Sequence, residues 1–313
     1  MKYITPLRYP GGKTQLYNFV AQIIKDNHYT TFIESCAGGA NLSLSLLQNK
    51  LINHAIINDF DKGIYSLFFN ILERPQQLIT KIEQVPFDVD TPYQPFILEY
   101  YQKIKEHYTA NYNGYTNNSL DLAFEFLFLN RTNYSGIISG RPIGGLNQDG
   151  KYKLNCRFNK KTLIKKINLI HSLKGKITLY NQDVNQLLNN LQLNNQTLAL
   201  IDPPYVEQGN SLYNLGFTKE QHKQLADTIN HLSTPYLVTY DNNKLIKDIY
   251  PHQNLYYYAL KYSSNNKNKG KHFELMIANS KIKLNNAIYL KHIWSTFVIQ
   301  KCFFLLSFCS KMK

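Results

Sequence analysis

Seven short runs of β-forming residues alternate with helix-forming stretches, and this rhythm constrains the chain to one class of fold. TTFIES (30–35) and HAIIND (54–59) come first; KITLYNQD (176–183), TLALID (197–202), PYLVTYD (235–241), NLYYYALKY (254–262) and FELMIAN (273–279) follow. Helical periodicity marks NLSLSLLQN, with Asn41 as its expected N-cap, and KEQHKQLADTINHL (219–232). Parallel strands need long crossovers and helices supply them, so an α/β protein with a doubly wound, mostly parallel sheet is expected. Residues 62–165 break the rhythm with a polar and aromatic stretch, an apolar helix SLDLAFEFLFLN (119–130) and a Gly-rich loop. They are expected to form an insert between the second and third strands.

Composition narrows the partners. In 313 residues, 35 Lys and Arg face 21 Asp and Glu, a formal net charge of +14. Residues 281–313 hold six Lys and no acid, and setting them aside still leaves +8. Such an excess favours a polyanion such as nucleic acid or an anionic membrane. The 24 Tyr and 17 Phe suit surfaces that stack on planar groups as well as a core. Cys36, Cys156, Cys302 and Cys309 show no CxxC pair and no zinc spacing, which points to a reducing compartment. The opening MKYITPLRYPGGK is too polar for a secretory signal, so a cytoplasmic protein is expected. In the tail, the apolar run IWSTFVIQKCFFLLSFCS is broken by Lys301. A membrane span needs about 20 largely uninterrupted apolar residues, so no stable membrane association is expected and the tail reads as an appendage of unknown role.

The sharpest chemical signal is Asp202-Pro203-Pro204-Tyr205, directly after the apolar run TLALI. The prolines set the backbone and remove two amide donors, which leaves nearby carbonyls as acceptors. A carboxylate, a carbonyl and an aromatic ring at a strand's C-terminal end can accept both hydrogens of an exocyclic amine and stack on its ring. The turn Cys36-Ala37-Gly38-Gly39-Ala40 joins a strand to a helix, which serves a tight connection as readily as a close approach to a ligand. Asp59 lies twenty-one residues beyond Gly38, where a nucleotide fold places the acid that accepts ribose hydroxyls. Arg8-Tyr9-Pro10-Gly11-Gly12-Lys13-Thr14 is no P-loop, since Leu7 stands where the first Gly is required; its turn can still deliver Tyr9 and Lys13 to a ligand. From Arg131 to Lys166 there are nine Lys or Arg and one acid, Asp149. With interleaved Asn, Tyr and Gly this stretch suits phosphates and base edges, and KYSSNNKNKGKH (261–272) forms a second basic cluster.

Taken in order, RYPGGK, FIESCAGGANLSLSLL, IINDFD, LNRTNYSG, IDPPY, LYNLGFTKEQHKQLA, YLVTYDN and FELMIAN resemble the Dam-like, D12-class DNA adenine-N6 methyltransferases over residues 5–280. Cys36 and Ala40 depart from the family's usual glycine motif. The hairpin segment diverges after Asn130-Arg131, so no recognition sequence is carried over. The resemblance implies a Rossmann-like methyltransferase sheet, formed by 1–61 and 166–280, with a mainly helical target-recognition insert at 62–165. It implies S-adenosylmethionine as methyl donor, no metal and double-stranded DNA as substrate, and it leaves open whether the enzyme acts as an orphan methylase or beside a cognate restriction endonuclease. Tyr9, Lys13, Glu34, Gly38, Gly39, Asp59 and Asp202 fall on its cofactor-binding positions. Asp202, Pro203, Pro204 and Tyr205 fall on its catalytic signature, and Asn130, Arg131, Tyr134 and Arg141 on its DNA-reading segment. An RNA adenine methyltransferase and a catalytically silent DNA-binding relative are the alternatives.

Overall fold

The computed structural model describes residues 3–9, 13–191, 194–206, 216–251, 254–260, 272–282 and 291–292. The Pro10–Gly12 turn, most of the 261–272 basic cluster and nearly all of the 281–313 tail lie outside them.

Among the described residues eight strands form one sheet: β1 (Thr31–Glu34), β2 (His54–Asn58), β3 (Ile177–Tyr180), β4 (Thr197–Ile201), β5 (Tyr236–Asp241), β6 (Asn254–Leu260), β7 (His272–Ala278) and the two-residue β8 (Lys291–His292). Their order is β3-β2-β1-β4-β5-β7-β6-β8. The first five in chain order pair parallel, with Glu34 beside Ile57 on one side and Leu200 on the other. β7 inserts antiparallel between β5 and β6. The chain therefore winds outward from β1 in one direction through β2 and β3, then restarts at β4 and winds the other way. The C-terminal ends of β1 and β4 flank this switch point, where open α/β sheets place their ligands.

Successive strand residues point to opposite faces. Phe32, Ile57, Leu198, Leu200 and Leu237 enter one core, while Ile33, Ile56, Ala199, Ile201 and Val238 enter the other. Both sets are apolar because helices cover both faces. The second face carries α8 (Val184–Asn190), α9 (Lys219–Asn230) and α10 (Lys244–Ile249). The first carries α1 (Tyr17–Asn27), α2 (Asn41–Gln48), α3 (Lys62–Glu73), α4 (Pro75–Glu83), α5 (Pro95–Asn111), α6 (Leu120–Thr132) and α7 (Lys160–His171). Five of these, α3 to α7, occupy the interval between β2 and β3. Their core is continuous with that of the sheet: a Cβ on Gly63 of α3 would strike the Phe126 ring of α6, so the two helices approach closely. α7, capped by Asn159, runs through the boundary expected at 165/166. Among the described residues no helix is long and apolar enough to cross a membrane.

One local expectation is corrected. Asn41 is the first residue of α2, not its cap; Ala40, with φ +49°, holds the cap position. The Asn41 side chain instead pins the N-terminal segment, accepting the N–H groups of Ile4 (2.8 Å) and Thr5 (3.2 Å) and donating to Thr14 Oγ1 (3.1 Å). The left-handed turn at Gly38 and Ala40 aims Asn41 inward, where a long-range partner replaces the local one.

Candidate active site

β1 runs into the glycine turn and β2 into Asp59, so the parallel register brings the two loops side by side. Asp59 Oδ2 accepts the Gly38 N–H at 2.7 Å and Oδ1 accepts that of Asp61 at 2.9 Å. Gly38 has φ +50°, and a Cβ there would lie 2.5 Å from Cε1 of Tyr9, whose ring packs over the turn. Only glycine meets both demands. Gly38→Ala is expected to destabilise the fold by about 1–3 kcal/mol. Urea denaturation checks this, and an unchanged midpoint would show that Tyr9 does not pack there.

At the adjacent strand ends stand Glu34 and Asp202. Glu34 is buried, and its Oε2 accepts the Ser43 N–H in the first turn of α2 at 2.9 Å. Burial, with Asp202 adding to it, pushes the Glu34 carboxyl up to about 7. Burial and the neighbouring Asp61 push Asp59 up to about 7 as well. Asp202 is raised by burial, opposed by Lys13, whose Nζ lies 2.9 Å from Oδ1; Thr239 Oγ1 donates to the same oxygen at 2.5 Å. Tyr9, Lys13, Glu34, Cys36, Ala37, Leu200 and Asp202 line one small cavity. Burial lifts the Cys36 thiol well above its ordinary range, so it forms a neutral wall.

Tyr205 completes the site. Its hydroxyl accepts from Lys13 Nζ at 2.7 Å and donates to Glu274 Oε2 at 2.6 Å, and the Tyr258 hydroxyl donates to that same oxygen. The Lys13 ammonium stands 4.8 Å from the centre of the Tyr205 ring. A continuous chain thus runs Tyr258–Glu274–Tyr205–Lys13–Asp202–Thr239. Val206 N–H, bound to Asp241 Oδ1 at 3.2 Å, holds the end of the signature against β5. Sequence reasoning missed Glu274, Tyr258 and Thr239. The available signal was Glu274 itself, a lone acid in the otherwise apolar strand Phe273–Ala278, since a buried acid requires donors.

The residues expected to read DNA divide. Asn130 is buried, its Oδ1 accepting the Arg8 N–H (2.8 Å) and its Nδ2 donating to the carbonyls of Arg8 and Gly136 (both 2.9 Å). Its part is scaffolding, because the polar end of α6 needs a buried partner for the chain crossing it. Arg131 is partly buried and gives Nε and Nη2 to the Arg157 carbonyl. Tyr134 (67% exposed) and Arg141 face outward on a one-bridge hairpin, Asn133 paired with Pro142. Among the described residues no group of three or more metal-ligating side chains converges.

A sheet of this topology, with an acid-Pro-Pro-aromatic signature at its switch point, defines a Rossmann-like methyltransferase acting on amino groups. The family is identified by the model of the D12 class N6 adenine-specific DNA methyltransferases, which matches residues 9–264. The chain belongs to that family and is an enzyme that methylates adenine in DNA.

Proposed function

We propose that the chain transfers a methyl group from S-adenosylmethionine to N6 of an adenine turned out of duplex DNA at one short sequence. The observation that carries this reading is the group around Asp202: a carboxylate already taking N–H and O–H donors, beside an aromatic ring whose hydroxyl is tethered. Bound S-adenosylmethionine supplies an electrophilic methyl on a cationic sulfur. The buried Glu34, the half-buried Asp59 and Asp202, the Tyr9 ring and the side-chain-free Gly38 are a set of acceptors and an aromatic face that fits such a cation with its ribose hydroxyls.

Adenine N6 is a weak nucleophile because its lone pair is delocalised into the ring. Asp202 and the Pro203 carbonyl accept its two hydrogens and orient the nitrogen, while Tyr205 stacks on the base and offsets lost duplex stacking. Positioning and fixed charge, rather than a covalent enzyme intermediate, lower the barrier. Residues 62–165 act as the target-recognition region, with Tyr134 and Arg141 toward the DNA.

The test is a base-resolution methylation map of DNA from a methylation-free bacterial host expressing the chain. N6-methyladenine at one short motif is expected, the motif at which a cognate restriction endonuclease would cut. Unmodified DNA in the presence of soluble protein would overturn the reading.

A pH dependence follows. Glu34 and Asp59 have carboxyls raised to about 7, so each is largely protonated below that pH and charged above it. The folded, unliganded chain holds more protons than the unfolded one between the ordinary carboxyl range and about 7, so its stability falls as pH rises through that window. A cationic cofactor favours the charged forms, so its affinity is expected to rise from pH 6 to 8 with proton release. Calorimetry in two buffers of different ionisation enthalpy measures this. Asp59→Asn is expected to flatten the profile, and a pH-independent affinity in the unmodified chain would contradict it.

A further inference from the structure

Four cations gather where the N-terminal segment crosses the end of α6 and the middle of α7, and among the described residues none of them meets a carboxylate. Lys166 Nζ donates to the Thr5 carbonyl at 2.7 Å. Arg131 donates to the Arg157 carbonyl at 2.8 and 2.6 Å and reaches Pro6 O at 3.4 Å. Arg8 Nη1 donates to the Asn133 carbonyl at 3.1 Å. The exposed Arg157 engages the cluster through its backbone carbonyl. Elsewhere Lys81, Lys174 and Lys244 find acidic partners, but no ion pair among the described residues includes any of these four.

Carbonyl dipoles offset only part of the mutual repulsion. Burial and the neighbouring cations lower Arg131 to about 10, and burial with Arg131 lowers Lys166 to about 8. Arg8 is lowered by burial and by Arg157, with Tyr134 close enough to oppose the shift. An uncompensated cluster of this kind costs stability in the free chain and is relieved by an anion. Guanidinium forks match the paired oxygens of a phosphate, and the exposed Tyr134 ring stands beside them. One residue after Arg8, Tyr9 packs over Gly38, so an anion held here lies next to the candidate active site.

We propose that Arg8, Arg131, Arg157 and Lys166 form a phosphate-binding site that grips the backbone of the DNA strand entering the active site. This rests on the reading of the chain as a methyltransferase of duplex DNA. Because the gripped segment (residues 5–8) continues into Tyr9 and Lys13, the site also ties DNA engagement to the cofactor side.

The test uses the full chain with Arg157→Gln and Lys166→Gln, singly and together. Arg157→Gln leaves the carbonyl that holds Arg131, and Gln at 166 keeps a donor for Thr5. Binding of a 20-base-pair duplex and of inorganic polyphosphate is followed by fluorescence anisotropy and competition between about 50 and 200 mM salt. Unmodified protein should weaken steeply with salt, and each substitution should flatten the log–log slope by about 0.9. The double variant should bind both probes at least roughly tenfold more weakly at 0.1 M salt, whatever the duplex sequence. Lys166→Gln should melt no lower than the unmodified chain, since it removes repulsion. Variants that match the unmodified chain in affinity and slope overturn the phosphate site and leave the methyltransferase reading intact. Unmodified protein that binds polyphosphate but not the duplex overturns the DNA reading and keeps the anion site; binding of neither probe overturns both. Arg157 is exposed, so its single variant keeps the test decisive if the double one fails to fold.

Discussion

Replacing Asp202 by Asn is expected to lower the methyl-transfer rate by about 1000-fold, equivalent to about 4 kcal/mol of lost transition-state stabilisation. Asn keeps the volume and one acceptor oxygen but loses the charge that draws the amino hydrogens and steadies positive charge developing on N6. The substitution also takes the counter-charge from Lys13, whose side chain is 4% exposed and whose Nζ lies 2.9 Å from the carboxylate, while the Tyr205 hydroxyl still accepts from it. A buried ammonium that loses its counter-charge is destabilising, so a fall in unfolding free energy of a few kcal/mol accompanies the loss of rate. Pairing the change with Lys13→Met separates the two effects: stability returns and activity does not. Incorporation of labelled methyl groups into DNA measures the first, and denaturant unfolding the second. Full activity in the single variant would remove Asp202 from the reaction.

The second large effect belongs to Glu274, to which the sequence reading gave no role. Glu274→Leu removes the acceptor shared by the Tyr205 and Tyr258 hydroxyls. Each buried hydroxyl that loses its acceptor costs about 1–3 kcal/mol, and the Tyr205 ring loses the tether that sets its tilt. In the proposed role of stacking on the target base the ring tolerates little misplacement, so kcat is expected to fall by about 100-fold. Glu274→Gln, which retains an acceptor oxygen, should recover most of that loss. The measurement is kcat and KM for a defined duplex in all three proteins, with circular dichroism confirming the fold. Equal kcat in the Leu variant would reduce Glu274 to an ordinary core residue.

The rhythm of apolar runs made the doubly wound sheet legible, and all seven expected strands form within three residues of their expected limits. Asp202 and Tyr205 were legible because a proline pair after a buried strand has few structural uses. Asn130 shows where that reasoning stops. Its residue type suits base edges, but type does not report exposure, and α6 turns Asn130 into the interior, where it holds Arg8 across 122 residues of chain. Tyr134 and Arg141, of no more distinctive type, are the ones left facing solvent.

The sequence by itself therefore determined the fold class, the place of Asp202 at the end of a central strand and the net positive charge of the chain. Each depends on local composition or on spacing along the chain. Tertiary structure alone decided which acids and cations are paired. Lys13 meets Asp202 across 189 positions, Tyr205 meets Glu274 across 69, and Lys166 meets Thr5 across 161. Strand order and crossover geometry set such distances, and a buried charge derives its energy from the partner that geometry brings to it.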